Sequence, residues 1–461
     1  MIKAKMPFLI LLFMLPFLSF SQEKENPLFS SDTYSIMAWD FMEHDDPLDF
    51  LVDCNFTIGG FLRPYDFKRA EDLGLRYFVD LDLGIQKRNK HRRVYRDKSD
   101  EEIDNIIRML VENSGKSDSI LGYFIMDEPS SLDFPALGKA VKALKKYAPD
   151  KLAYINLFPN YATLSTLDQL DSQLGTATYM EYLERFVNEV KPEFISFDNY
   201  MVQFSKDLNN HSRAKSYFDN LLDVREVGLK YDLPYWIIVS SHQIRNYTTI
   251  PSLSNMLFQA YTALAAGYNG VTWYQFKQNG YNYSPIDAKG NKTTTWYYLK
   301  EVNRQILEVG NIINNFKSKS VYFTTPVFDV EYEKPAETII KTIECDDPLM
   351  VGEFESESGE QYVLLVNISL EKTVRFSLSL ENSNQKIFRI APDMDYLKNN
   401  LNDPKNSSGS IRVVESWLRL NDYFTLKIES DSNSKTVYKY QVMIPHLNTN
   451  SGNRQGSKCR Q

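Results

Sequence analysis

Between residues 33 and 277, short apolar runs alternate with stretches whose apolar residues recur at helical spacing. Eight runs read as strands: YSIMAWDF (34–41), FTIGGF (56–61), LRYFVDLDLG (75–84), ILGYFIMDEP (120–129), LAYINLFPN (152–160), PEFISFDNY (192–200), PYWIIVSSHQ (234–243) and NGVTWYQF (269–276). The stretches between them predict helices at SDEEIDNIIRMLVENSG (99–115), with a capping-type start, and at 134–149, 179–192, 214–231 and 254–267. YDFKRAEDLG (65–74) predicts a short helix, and TTTWYYLKEVNRQILEVGNIINNF (293–316) reads as the eighth. Eight strands, each followed by a helix, is the count of an α/β fold of the (β/α)8 TIM-barrel type. The near-continuous apolar strands suit a sheet buried on both faces. A doubly wound sheet would normally carry a glycine-rich turn after its first strand, and MAWDFMEHDDP has none.

Beyond residue 316 the period changes. Short alternating runs such as KSVYFT, EQYVLLVNIS, TVRFSLSL and YFTLKIES are separated by polar turns, which predicts a C-terminal antiparallel β domain. The expected division is a barrel over 30–316, a β-sandwich domain over 320–445 and a polar tail over 446–461. Residues 1–21 read as a cleavable signal peptide: Lys3 and Lys5 precede the apolar run PFLILLFMLPFLSF, and Ser19 and Ser21 stand before a cut at Gln22. A secreted or periplasmic location is therefore expected. No later segment is long and apolar enough to cross a membrane.

Composition narrows the chemistry. A net charge of −8 disfavours nucleic acid as the partner, and aromatics at 13% suit either a large core or surfaces that stack on sugar rings. Cys54, Cys345 and Cys459 are widely spaced without a CxxC, and the five histidines form no HExxH, so neither a disulfide framework nor a catalytic metal is expected, and no cofactor.

In such a barrel, ligands meet the C-terminal ends of the strands. Those ends carry Trp39 and Asp40; Asp80 and Asp82; Asp127 and Glu128; Asn156 and Asn160; Asp198, Asn199 and Tyr200; Ser240 to Gln243; and Trp273, Tyr274 and Gln275. Acids and amides bond hydroxyls, and aromatic faces cover the C–H surface of a sugar, so the set points to carbohydrate. In GYFIMDEPSS, Glu128 is the candidate proton donor and Asp127 its partner, because a second nearby charge raises a donor's pKa. The competing reading has the acids cap the following helix. Asp198 is the candidate second carboxylate, with the Tyr200 hydroxyl to orient it. Trp39, Asp40, Asp82, Asn156, Tyr200, His242, Trp273, Tyr274 and Gln275 are candidate substrate-binding residues, although either Trp273 or Tyr274 could instead be core. The basic run KRNKHRRVYR (87–96) follows the third strand; it is either a solvated loop or a contact for an anionic polysaccharide through Arg92, Arg93 and Arg96.

The stretches LGYFIMDEPS, YINLFPNYA, KPEFISFDNYM, FQAYTALAAGYNGVTWYQF and SPIDAKGNKTTTWYYLKEVNRQI resemble glycoside-hydrolase-like TIM barrels of polysaccharide-degrading bacteria, distant relatives of the β-galactosidase clan. With the trailing β domain, the resemblance covers roughly residues 30 to 430. It implies hydrolysis of glycosidic bonds, with the acid/base Glu at Glu128. The clan's nucleophile is a Glu ending the seventh strand, whereas YWIIVSSHQI has no carboxylate. The Asp–Glu pair and the Asp/Tyr of the sixth strand also look like hexosaminidase and chitinase barrels, in which the substrate's acetamido group is the nucleophile. A non-catalytic carbohydrate-binding barrel is the rival class. A polysaccharide lyase would need Lys, Arg or paired Tyr and His at the strand tips.

Overall fold

The computed structural model describes residues 33–44, 46–81, 95–165, 172–205, 208–330, 334–370 and 372–380, with the shorter pieces 86–87, 92–93, 385–390, 416–418 and 423–430. Asp82, the segment 1–21 and the tail 446–461 lie outside the described residues.

Eight parallel strands close into a barrel: β1 (Ser35–Ala38), β2 (Ile58–Leu62), β3 (Arg76–Val79), β4 (Ile120–Asp127), β5 (Leu152–Leu157), β6 (Ile195–Asp198), β7 (Tyr235–Ser240) and β8 (Gly270–Tyr274). Closure is made where β1 pairs with β8, from Ser35 opposite Gly270 to Ala38 opposite Trp273. The helices are α1 (Leu48–Asp53), α2 (Pro64–Asp72), α3 (Asp100–Ser114), α4 (Phe134–Tyr147), α5 (Tyr179–Val190), α6 (His211–Tyr231), α7 (Leu253–Ala265) and α8 (Thr294–Ile313). The capping-type start of α3 is a full box: Glu102 N–H donates to Ser99 Oγ at 3.2 Å, and Ser99 N–H donates to the Glu102 carboxylate at 2.7 Å. Helix α1 was not singled out by the sequence pattern. It has six residues and buries only Leu48 and Leu51, too few to establish a period. The backbone of Gln86–Lys87, at the start of the basic run, pairs antiparallel with Arg92–Arg93.

Side chains alternate between the barrel interior and the helix layer. On β5, Leu152 and Tyr154 join the inner cluster, while Ala153, Ile155 and Leu157 join the outer one. The interior is filled with aromatics: Phe61 lies 4.9 Å from Phe124 and 5.4 Å from Tyr154, and Phe78 lies 4.7 Å from Tyr154. The large ring of Trp236 fits because Gly270 faces it; a Cβ there would approach the indole to 2.6 Å. This packed plug closes the barrel below and leaves its C-terminal mouth as the available concavity.

The chain then forms two antiparallel sheets. One contains β9 (Lys317–Phe323), β11 (Leu349–Glu355), β12 (Gln361–Asn367), β16 (Tyr423–Ser430) and β14 (Gln385–Ile390), in that spatial order; the other contains β10 (Ile340–Cys345), β13 (Val374–Leu380) and β15 (Ser416–Leu418). Tyr322, Val351, Val363 and Leu365 pack with Ile340, Phe376 and Leu378 in one apolar cluster. The opposite face of the larger sheet, with Met350, Phe354 and Leu364, joins the barrel's outer core.

Candidate active site

Three strand ends bring the candidate acids together. On β4 the ladder shifts register twice, between Ile120 and Gly122 opposite β3 and between Phe124 and Met126 opposite β5. Leu121 and Phe124 consequently both reach the inner cluster, and Asp127 reaches the cavity, at a spacing of three. On β5 and β6 the ordinary period of two brings Asn156 and Asp198 to the same cavity.

Asn156 joins these acids. Its Nδ2 donates to Asp127 Oδ1 at 3.0 Å and to Asp198 Oδ1 at 3.1 Å. Its Oδ1 accepts from Ser196 Oγ at 3.2 Å, and Ser196 Oγ lies 3.0 Å from the Tyr154 hydroxyl. With Ser196 donating to Asn156, Tyr154 donates to Ser196, and the chain fixes which way the amide points. Burial, then the charges of Glu128 and Asp127, hold the Asp198 carboxyl well above the usual carboxylate range. The hydrogen bond expected to Asp198 from Tyr200 comes from Asn156; Tyr200 tilts against Tyr274 at 5.8 Å between ring centroids.

Glu128 follows Asp127 in the left-handed region, at φ +46°, while its N–H donates to Asn156 O at 2.8 Å. A non-glycine residue there costs of order 1–3 kcal/mol and persists where surrounding structure imposes it. Capping falls to Ser130, at the start of a 3-10 turn over Ser131–Asp133 that leads into α4: Leu132 N–H donates to Ser130 Oγ at 3.4 Å, and Ser130 N–H donates to Asp133 Oδ2 at 3.0 Å, while α4 itself has no side-chain cap.

The cavity has a volume of about 560 Å³. Trp39 and Tyr200 line it beside the acids, as do Asp40, Tyr274 and Gln275. Asp40 accepts the backbone N–H groups of Phe276 and Lys277. Burial outweighs those two bonds and pushes its carboxyl up to about 7. Phe41, Glu43 and Asp46 after β1, and Lys277, Gln278, Asn279 and Tyr281 after β8, also line the cavity, beyond the strand-end residues that the barrel pattern singles out. They lie in FMEHDDP and KQNGYNY, whose mixture of aromatic, acid and amide was the available signal. Lys277 is paired through Nζ with the buried Asp46 carboxylate.

Two candidate ligand contacts are corrected. Trp273 is fully buried in the outer core and donates its indole N–H to Asn303 of α8 at 2.9 Å; Gly270 and Tyr274 take the inward positions of β8. His242 does not line the cavity. It is fully buried behind Tyr274 and Tyr281, with ring centroids at 5.0 and 4.5 Å, and its Nδ1 meets Tyr274 O at 2.8 Å and Gln275 N at 3.0 Å. Burial lowers its pKa to about 4, so it braces the aromatic wall as a neutral ring. Asn160 and Asn199 also turn away, bonding Ser216 and Asn220 of α6. In the basic run, Arg96 forms an ion pair with Asp133 at 2.8 Å; the side chains of Arg92 and Arg93 lie outside the described residues. Among the described residues, no group of three or more His, Cys, Asp or Glu is arranged to hold a metal ion.

No family model and no curated protein matches the sequence. Solved structures do match in fold. A glycoside hydrolase of family 5 from Bacteroides vulgatus aligns over 89% of this chain and 92% of its own, with TM-score 0.51 and 11% identity. A family 5 enzyme from Streptomyces cattleya, in complex with GlcNAc, aligns over 59% of this chain and 80% of its own, with TM-score 0.45 and 12% identity. A β-galactosidase from Rahnella sp. R3 aligns over 64% of this chain, with TM-score 0.46 and 11% identity, and this chain spans 58% of that enzyme's length. The structural neighbours of this closed eight-stranded barrel are thus glycoside hydrolases.

Proposed function

We propose that the protein is a secreted or periplasmic glycoside hydrolase acting on a polysaccharide or a derived oligosaccharide, with Glu128 as general acid/base. The observation that carries this reading is the cluster of Asp127, Glu128 and Asp198 around Asn156, in a polar cavity at the barrel mouth. Glu128 gives its proton to the glycosidic oxygen as the C–O bond breaks. The group attacking or stabilising the sugar cation must then be ionised. Like charges in one buried cluster do not ionise together, so the cluster keeps a proton at neutral pH while releasing another. The productive form has the proton on Glu128 and the charge on Asp198. Trp39 and Tyr274 supply apolar faces, and Asp40 and Gln275 lie within reach of hydroxyls.

The cavity lining favours an uncharged glycan. Among the described residues, six carboxylates line it, those of Asp40, Glu43, Asp46, Asp127, Glu128 and Asp198, and the one lining cation, Lys277, is paired with Asp46. A uronate or sulfate there meets like charge. An anionic chain bound through the basic run 87–96 would show as binding weakened by salt.

Glu128→Gln keeps shape and removes the proton. Turnover should fall by about 10²–10⁴ with folding intact, measured on a panel of neutral and acidic oligosaccharides. Full activity in that variant removes the assignment. Binding without turnover in the unaltered protein favours the non-catalytic carbohydrate-binding reading.

The raised proton affinity of Asp198 favours one second reading. As a strongly basic carboxylate, Asp198 accepts the N–H of a substrate acetamido group, whose carbonyl oxygen attacks the anomeric carbon in place of a protein carboxylate while Glu128 protonates the departing glycosidic oxygen. That route confines cleavage to 2-acetamido sugars and is blocked by a thiazoline. Rescue of Asp198→Ala by azide, with a glycosyl azide product, assigns the attack to Asp198 instead.

A further inference from the structure

Beside the acid cavity lies a second depression of about 550 Å³, lined by Gln243, Asn246, Ile250, Gln278, Asn282 and Tyr283. The two depressions share Gln278 as a lining residue, so they adjoin at the rim where β7 and β8 end. The loops that form the second are fastened together. Gln243 N–H donates to Asn282 O at 2.8 Å, and Gln278 N–H donates to Ile286 O at 2.8 Å. Gln243 is anchored further by its own amide, which donates to Thr248 O at 2.8 Å.

Its chemistry differs from that of the acid cavity. Four of the six lining residues are amides, and none is charged. Tyr283 is 51% exposed and Ile250 50% exposed. Tyr283 also holds a left-handed backbone at φ +57°, which is rare for an aromatic residue and costs free energy. Its half-exposed ring recovers little of that cost by burial. Amides, which both donate and accept, together with an exposed aromatic ring in the same depression, suit the hydroxyl rim and C–H face of a pyranose.

We propose that this groove binds a further, uncharged sugar unit of the chain whose scissile linkage lies against Glu128. The inference rests on the glycoside-hydrolase reading and deepens it: the substrate is an oligomer that continues across Gln278 onto Asn282 and Tyr283.

The test uses the full chain carrying Glu128→Gln, which binds without turnover. Affinities are measured by calorimetry for cello-, manno-, xylo-, β-1,3-gluco- and chito-oligosaccharides of two to six units. For the series that binds, affinity should rise between the disaccharide and the longer chains. Tyr283→Gly removes the ring and relieves the backbone, so the melting temperature should hold or rise. Affinity for the longer chains should fall about five- to tenfold, with the disaccharide unchanged. Asn282→Ala should act in the same direction. Binding that is independent of chain length, or a length dependence that survives Tyr283→Gly, overturns the second position and leaves the glycoside reading intact. If none of these chains binds, the second position is overturned, and the glycoside-hydrolase reading is decided separately by turnover in the unaltered protein.

Discussion

Asn156 donates to two carboxylates, Asp127 and Asp198, while accepting from Ser196. Hydrogen bonds to charged groups contribute about 1.5–3 kcal/mol each, so this amide offsets much of the repulsion within the cluster. Asn156→Ala should raise the proton affinity of Asp198 further, because the bond from Asn156 lowers it. If Asp198 works as an ionised group, the acidic limb of the pH–rate profile should move to higher pH and turnover should fall. A profile of unchanged shape would reduce Asn156 to packing. Asp40 allows a stability test. Its folded pKa, about 7, lies above the unfolded value of about 4, so the folded state holds a proton that the unfolded chain releases. Stability from this group is present below pH 4 and is lost as pH rises through 7. Asp40→Asn can still accept from Phe276 and Lys277, and its melting temperature should fall less than wild type's across that window. Parallel melting curves for the two proteins would remove the argument.

Among the elements, β4 departs furthest from an ideal strand, and the proposed acid, Glu128, follows it directly. Gly122 is held close against β5: a Cβ there would lie 2.1 Å from Leu152 O. Gly122→Ala should destabilise the fold by about 1–3 kcal/mol in urea unfolding, through overpacking, and lower activity by displacing Glu128. A variant of wild-type stability would show that β4 and β5 can separate without cost. Most helix positions were legible because amphipathic periods extend over twelve residues or more, as in α3 and α5. Strand ends were less so. The run YSIMAWDF reads as one strand through Phe41, yet β1 ends at Ala38, and Phe41 lines the mouth beside Trp39 and Asp40. An apolar residue looks the same in sequence whether it extends a strand or floors a cavity.

Across the whole molecule, the larger C-terminal sheet is packed against the barrel. Gly352 of β11 lies over α7, where a Cβ would come within 2.1 Å of Ala265 O. Met350, Phe354 and Leu364 share the barrel's apolar cluster. Gly352→Val should therefore lower the melting temperature of the barrel as well as that of the sheets, in one transition. Two separate transitions, with only the smaller displaced, would indicate independent units. The secretory proposal predicts a mature chain beginning at Gln22, which N-terminal sequencing of exported protein checks.

The closed barrel and the change to antiparallel strands after residue 316 were determined by the sequence itself, because burial on two faces and helical period act locally and repeat along the chain. The gathering of Asp127, Glu128, Asn156 and Asp198 at one mouth followed from the barrel rule, which depends on strand ends alone. Which residue of a neighbouring pair faces the cavity was decided by tertiary structure. Trp273 and Tyr274 are both aromatic, and only the closure of β8 against β1 and β7 turns Tyr274 inward and Trp273 toward Asn303. On β4 the inward spacing of three comes from two shifts of the ladder against its neighbours, and neither strand's sequence encodes its partner's register. The loop residues Glu43, Asp46, Lys277 and Gln278 reach the cavity because Asp40 ties the loop after β8 back to the end of β1. That contact joins residues 236 positions apart, a separation at which no local pattern operates.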